Sequence, residues 1–352
     1  MKTEIVKIDN PSDSMSDISR AADILRGGGL VVFPTETVYG LGGNATDPSA
    51  ASKIYTAKGR PSDNPLIIHI ARPEDAEPYA VTNPNYYRLA RAFMPGPLTV
   101  ILPKKDTIPY QVTGGLDTVA IRCPSHPVAH ALISATGFPI AAPSTNISGR
   151  PSPTSVKYVI EDMNGRVDMI IDGGECDIGL ESTIIKLDGG RATILRPGAV
   201  TYEDLLDVCE EVELSKAVAG IASPEERPLA PGMQYRHYAP ATPLILLEGT
   251  DEEFINFLSE KRKNEYCAVI CSDSESKKLG GGNIVLTGEP DDLETQAHRL
   301  FSALREADAL GCDVIYARIP PKTGIGLALY NRMIRAAGGR VLILKDKITT
   351  KV

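Results

Sequence analysis

The chain of 352 residues has six cysteines but no pair spaced as CxxC, and none of the ligand runs that build a zinc site. Cys123, Cys176, Cys209, Cys267, Cys271 and Cys312 are scattered, and a disulfide framework is not expected in so large a chain. Cys267 and Cys271 flank the apolar triplet Ala268-Val269-Ile270, which reads as a strand with small buried thiols. No apolar run approaches the ~18 residues needed to span a bilayer, and the N-terminus carries no apolar signal core. A soluble, cytoplasmic protein is expected, with no part in a membrane. There is also no basic surplus: Lys and Arg total 37 against 45 Asp and Glu, a formal net charge of −8. That argues against a whole-chain, sequence-independent grip on nucleic acid, while leaving room for a local basic cleft. Four catalytic or nucleotide signatures are missing: the phosphate-binding Gly-Lys-Ser/Thr loop, the dinucleotide glycine fingerprint, HExxH, and a Ser-His-Asp or Cys-His set. Internal repeats and low-complexity tracts are absent too.

What is present is ordinary globular material, 42% hydrophobic and 23% charged. The length points to two domains. Ser16 can cap a helix with Ile18, Ala21, Ala22 and Leu25 on one stripe, closed by Gly27, and Asp47-Pro48 starts a second helix running to about Lys58. Residues 84–94 read as a helix, and Tyr202–Glu211 as another. Strands are expected at Leu30–Phe33, Leu66–Ile70, Leu98–Leu102, Val119–Arg122, Pro139–Ala142, Met169–Ile171, Ser182–Leu187 and Ala192–Leu195. Strands outnumber helices, so a twisted mixed sheet is expected over residues 1–212. Residues 213–241 are proline-rich and without period, a linker or a functional lid. From 242 to 352 strands and helices alternate, as in a smaller Rossmann-like α/β domain. Its strands are expected at Leu244–Leu247, Tyr266–Cys271, Asn283–Leu286, Val314–Ala317 and Val341–Leu344. The fold class is therefore α/β throughout.

Several segments bear chemistry. In "KGRPSDNPLIIHI", Lys58 and Arg60 end a helix, where cations suit the helix dipole, and they also stand two residues apart before Asn64, as a phosphate clamp would. His69 alternates onto one face with Ile67, opposite Ile68 and Ile70, either as a hydrogen-bonded core histidine or as the wall of a pocket. "FPTETVYGLGG" leaves a buried strand, places Thr35, Glu36 and Thr37 at its end, and is read as turning through Gly40, Gly42 and Gly43. "APSTNISG" offers hydroxyls, an amide and backbone N–H groups after a strand, a hydrophilic turn or a cradle for phosphate oxygens. Arg122, Ser182 and Arg196 all stand at strand ends. His126 and His130 are four apart, but Pro127 makes His126 a helix cap, and no metal site is assigned.

Taken in order, "FPTETVYGLGG", "KGRPSDNPLIIHI", "PGPLTVIL", "VAIRCP", "APSTNISG" and "ESTIIKL…LRPGAV" resemble the YrdC-like threonylcarbamoyl-adenylate synthases, and "PGMQYRHYAP" with the trailing α/β unit resembles their long form. The resemblance covers nearly the whole chain. It implies an enzyme that forms L-threonylcarbamoyl-adenylate and pyrophosphate from ATP, L-threonine and bicarbonate, for tRNA modification. It implies that L-threonine is held near Thr37, His69, Arg122 and Ser182. ATP would lie near Lys58, Arg60, Asn64, Thr118, Ala142, Ser144, Asn146, Ser152 and Arg196, with Tyr235, His237 and Tyr238 of the linker closing over it. Mg2+ would accompany ATP. A threonylcarbamoyl transferase complex would take the product, with a weak contact to tRNA. Two other readings stand beside this one: a carbamoyl-adenylate-forming O-carbamoyltransferase, and a double-stranded RNA-binding module.

Overall fold

The computed structural model describes residues 2–219 and 238–344. The chain divides into two compact units, Met1–Ser148 with Ser152–Gln234, and Gly149–Pro151 with Tyr235–Val352.

The first unit runs β1 (Glu4–Lys7), α1 (Met15–Arg26), β2 (Val31–Phe33), β3 (Gly40–Asn44), α2 (Pro48–Lys58), β4 (Ile67–His69), α3 (Pro84–Phe93), β5 (Leu98–Pro103), β6 (Thr118–Arg122), α4 (Pro127–Thr136), β7 (Ile140–Ala141), α5 (Val156–Met163), β8 (Met169–Asp172), β9 (Thr183–Asp188), β10 (Arg191–Arg196), α6 (Tyr202–Leu206) and β11 (Glu211–Leu214). The strands form one mixed sheet in the order β1-β8-β2-β3-β7-β4-β6-β5-β9-β10-β11. Helix α2 starts as its sequence dictates: Asp47 Oδ1 accepts from the Ser49 N–H at 2.8 Å, Pro48 takes the first turn, and Gly59 closes it at φ 61°. His126 caps α4, its Nδ1 accepting from the Val128 N–H at 3.2 Å.

Three expectations need correction. The residue before α1 is Ser14, not Ser16, which lies inside the helix. The helix expected over Tyr202–Glu211 stops at Leu206, and its far end becomes strand β11, whose Val212 packs into the core. Gly40, Gly42 and Gly43 do not turn the chain. They lie in β3, where a Cβ on Gly42 would come within 2.8 Å of Ile140 and Phe33 side-chain atoms, so glycine here permits close packing on both neighbouring strands.

The central strands have two unlike faces. Ile68, Ile121, Val100 and Ile185 point into the large core, which helices α2, α3 and α5 cover. On the other face the register aligns rows. β4 pairs parallel with β6, bringing His69 beside Arg122 and Ile67 beside Ala120. β6 pairs antiparallel with β5, bringing Arg122 beside Thr99 and Ala120 beside Ile101. The face thus carries a polar row, His69-Arg122-Thr99, next to an apolar row, Ile67-Ala120-Ile101. The apolar row belongs to a small cluster with Ile184 and Leu195, to which, among the described residues, strands alone contribute.

The second unit runs β12 (Leu244–Glu248), α7 (Asp251–Asn264), β13 (Cys267–Cys271), α8 (Asp273–Leu279), β14 (Ile284–Leu286), α9 (Leu293–Ala309), β15 (Val314–Arg318), α10 (Ile325–Ala336) and β16 (Val341–Ile343). All five strands are parallel, in the order β14-β13-β15-β12-β16. The six cysteines are free thiols, and all but Cys209 are buried. Among the described residues no helix is long and apolar enough to cross a membrane.

Candidate active site

The polar row is the start of a site. Arg122, at the end of β6, is 4% exposed, and its Nη2 lies 2.7 Å from Glu36 Oε1, on the loop that leaves β2. Glu36 Oε2 in turn accepts from the Ser125 N–H at 3.2 Å. A desolvated pair of this kind is costly unless its remaining polar atoms are also satisfied. Here Arg122 Nε and Nη2 and Glu36 Oε1 are buried without a well-formed hydrogen bond. A planar guanidinium with donors to spare, buried beside hydroxyls, suits a carboxylate.

His69 stands next to Arg122 in the register and meets Phe33 edge-on, ring centroids 6.1 Å apart. Burial and then the Arg122 charge lower its pKa from 6.5 to about 3. It is therefore a neutral imidazole across the physiological range, and its Nδ1 has no hydrogen-bond partner. Thr37 is fully buried, its Oγ1 2.9 Å from that of Thr35.

On the other side of Arg122, Thr99 Oγ1 lies 2.7 Å from Ser182 Oγ. Arg196, at the end of β10, donates from Nε to the Ser182 carbonyl at 3.0 Å and from Nη2 to Ser182 Oγ at 3.1 Å. Gly198 makes this approach possible: a Cβ there would sit 2.5 Å from Thr183 N and 2.8 Å from Glu181 O.

A second group gathers at the end of α2. Lys58 is 2% exposed, and its Nζ donates to the carbonyls of Ser144 and Asn146, the latter at 2.6 Å. Ser144 Oγ donates to Asn146 Oδ1 at 2.6 Å. Burial, with Arg60 nearby, pushes the Lys58 pKa well below 10.5, while Asp162 and Glu181 oppose the shift. Lys58 thus ties down the loop after β7, a role its position at a helix end did not reveal. Arg60 Nη2 donates to the carbonyls of Asn64 and Pro65, both at 3.2 Å. The buried Asn64 Oδ1 has no hydrogen-bond partner. Ser152 Oγ donates to the buried Glu181 at 2.6 Å. The Ala142 N–H donates to the Ile67 carbonyl at 2.9 Å, and Thr118 begins β6, two residues from Ala120 on the same face.

The sheet therefore brings His69, Arg122, Ser182 and Arg196 into one neighbourhood, Thr37 follows Glu36, the partner of Arg122, in the chain, and Lys58 gathers Ser144 and Asn146. Tyr238 belongs to the second unit, at φ 65°, its ring 5.3 Å from that of Phe301. Tyr235 and His237 lie outside the described residues. Sequence reasoning singled out neither Thr99 nor Glu181. A buried threonine alternating with Ile101 in "LTVIL" was the available signal for the first.

Comparison with known proteins agrees in kind. A family profile described as Telomere recombination matches residues 23–198, and one described as Threonylcarbamoyl-AMP synthase, C-terminal domain, matches 200–338. The chain is 44% identical over 337 residues to the Threonylcarbamoyl-AMP synthase of Bacillus subtilis, covering 95% of this chain and 96% of that one. It is 46% identical over 328 residues to that of Pyrococcus abyssi, covering 92% and 94%. The chain belongs to the threonylcarbamoyl-AMP synthase family. Among solved structures, P. abyssi Sua5 complexed with L-threonine superposes with a TM-score of 0.89 at 43% identity, covering 98% of this chain and all of that one. The two-unit chain thus matches members of the threonylcarbamoyl-AMP synthase family over nearly their full length.

Proposed function

We infer that the chain is a threonylcarbamoyl-AMP synthase, converting ATP, L-threonine and bicarbonate or CO2 into L-threonylcarbamoyl-adenylate and pyrophosphate. Family membership supports this, and the one structural observation that carries it is the buried row His69-Arg122-Thr99 joined to Ser182 and Arg196.

The threonine carboxylate takes the open donors of Arg122, and the neutral His69 Nδ1 accepts a hydrogen bond from the amino acid. Thr37 and Ser182 bracket its side chain. The uncharged amine attacks CO2 and loses a proton, giving a carbamate. A carbamate oxygen then attacks the α-phosphorus of ATP, and the bond to the β-phosphate oxygen breaks to release pyrophosphate. No protein nucleophile is required, and the work is positioning and charge stabilisation. Arg60 and Arg196 face the phosphates, with Lys58 holding Ser144 and Asn146 toward them. Asn64, Thr118, Ala142 and Ser152 complete the nucleotide's surroundings.

Magnesium enters as part of the substrate, carried on the ATP phosphates, which is how this ion is commonly held. The labile adenylate passes in the cytoplasm to a transferase complex that modifies tRNA, with weak tRNA contact by this chain.

The test is incubation with ATP, L-threonine, bicarbonate and magnesium, with mass detection of the adenylate and each component omitted in turn. Product that forms without threonine would instead favour the O-carbamoyltransferase reading. Salt-sensitive RNA binding without ATP consumption would favour the RNA-binding module.

A further inference from the structure

In the second unit the loops after β12 and β13 lead to α7 and α8, which pack on one another, and those after β14 and β15 lead to α9 and α10, which do the same. Right-handed crossovers put the two helix pairs on opposite faces of the sheet. Between β13 and β15, neighbours in the sheet, the chain leaves the strand ends in opposite directions. Crevices of this kind, outside the carboxyl ends of parallel strands, are where open α/β sheets bind ligands.

A cavity of about 100 Å3 lies there. Leu293, Leu300, Leu329 and Met333 of α9 and α10 give it apolar walls. Arg318, the last residue of β15, lines it together with Ser272, Glu275, Thr287 and Gln296. The guanidinium is pre-positioned: Nε donates to Glu275 Oε1 at 2.7 Å, Nη1 to the Gly249 carbonyl at 3.1 Å, and the group lies 4.4 Å over the Phe254 ring. Glu275 is itself fixed by the backbone and hydroxyl of Ser272, at 2.9 and 3.0 Å. Nη2 is different. It is buried and makes no well-formed hydrogen bond, although Glu275 and Asp251 stand 2.7 and 3.0 Å away. The Asp251 side chain is 77% exposed, so that contact is screened by solvent and easily exchanged. Cys271 also lines the cavity, but burial, with Glu275 close by, pushes its thiol up to about 12, so no thiolate chemistry arises there.

We propose that the second unit carries a separate binding site for a small aliphatic carboxylate at this crevice. The carboxylate replaces Asp251 at Arg318 Nη2, and the branched hydrocarbon body fills the apolar end. The cavity is several times the roughly 10–15 Å3 that admits one water, which leaves room for a small acid. The walls exclude a multiply charged anion such as phosphate, which would find one guanidinium already shared with the Glu275 carboxylate and a row of leucines. An α-amino acid and a simple fatty acid share this chemistry, and the experiment separates them.

The test is titration calorimetry on the full chain with L-valine, isovalerate and L-valinamide. Valine has the shape of threonine, so the location is read from variants of the second unit. Binding of isovalerate and valine but not valinamide is expected. Equal binding of both acids marks a carboxylate site, and binding of valine alone marks an amino-acid site. Arg318→Gln is expected to weaken the acids by about tenfold or more, the scale of one charged hydrogen bond. Gln296→Trp, on the partly exposed side of α9, fills the crevice without touching the Arg318 ion pair and is expected to abolish binding while adenylate formation is retained. Failure of both acids to bind at millimolar concentration would overturn the proposal. So would valinamide binding as well as the acids, or unchanged affinity in a folded Gln296→Trp protein.

Discussion

Glu36 Oε1 lies 2.7 Å from Arg122 Nη2, and both side chains are all but removed from solvent. The acid keeps a buried cation compensated in the free protein, and it leaves Nε of that cation without a hydrogen bond. Removing one partner of a buried pair costs about 3–5 kcal/mol, because the other charge is stranded. Glu36→Gln should therefore destabilise the free protein, by less than that range since the amide can still accept a hydrogen bond. In the proposed complex L-threonine brings a carboxylate to the same guanidinium, so it should raise the melting temperature of the variant more than that of the wild type. Equal shifts in a thermal-denaturation series would show that threonine does not engage Arg122.

His69 gives a pH signature. Its folded pKa of about 3 lies below the ordinary 6.5, through burial and the Arg122 charge, with the Ile140 and Ile67 carbonyls pulling the other way. Between these values the unfolded chain binds a proton that the native protein does not. The contribution of His69 is thus fully present above pH 6.5 and is lost as the pH falls toward 3. His69→Asn should flatten that part of the stability curve, measured by denaturant melts across the acid range. In the native enzyme, imidazole NMR should show His69 neutral at pH 5, and a titration near 6.5 would contradict the assignment.

Lys58 holds the Ser144 and Asn146 carbonyls, so its loss should act through the loop as well as through charge. Lys58→Met should lower adenylate formation by about 10²-fold or more, the scale expected when a pre-organised charge is removed. Lys58→Arg should restore little, because a planar fork cannot reproduce a compact ammonium between two carbonyls. Arg60→Ala should cost a similar factor. Pyrophosphate release under saturating substrates reads all three.

Much of this arrangement was legible along the chain because it depends on local periodicity. Alternation put His69 with Ile67 and against Ile68, and the Asp47-Pro48 start fixed α2 and hence Lys58. The sheet partners were not legible. Thr99 matters only because β5 lies between β6 and β9, so that it meets Arg122 on one side and reaches Ser182 on the other. That order depends on pairings between residues far apart in sequence. The glycines of β3 were misread for a related reason: a turn and a crowded strand both call for glycine, and only the neighbours Phe33 and Ile140 distinguish them.

Gly198 makes the same point about Ser182 and allows the sharpest test. It lies two residues beyond β10, and a methyl group there would press on the backbone N of Thr183 and the carbonyl of Glu181, which cannot swing aside as a flexible side chain could. Ser182 stands between those atoms, linked to Thr99 and Arg196. Gly198→Ala should therefore cost about 1–3 kcal/mol of stability, the range for overpacking a close contact. It should also shift Ser182 and raise the KM for threonine; Ser182→Ala, which strands the buried Thr99 hydroxyl and an Arg196 donor, should raise KM as well, at a cost of about 1–3 kcal/mol of its own. Steady-state kinetics with threonine varied at saturating ATP, set beside melting curves, reads both variants. A Gly198→Ala enzyme with both values unchanged would mean that the β10 loop does not position Ser182.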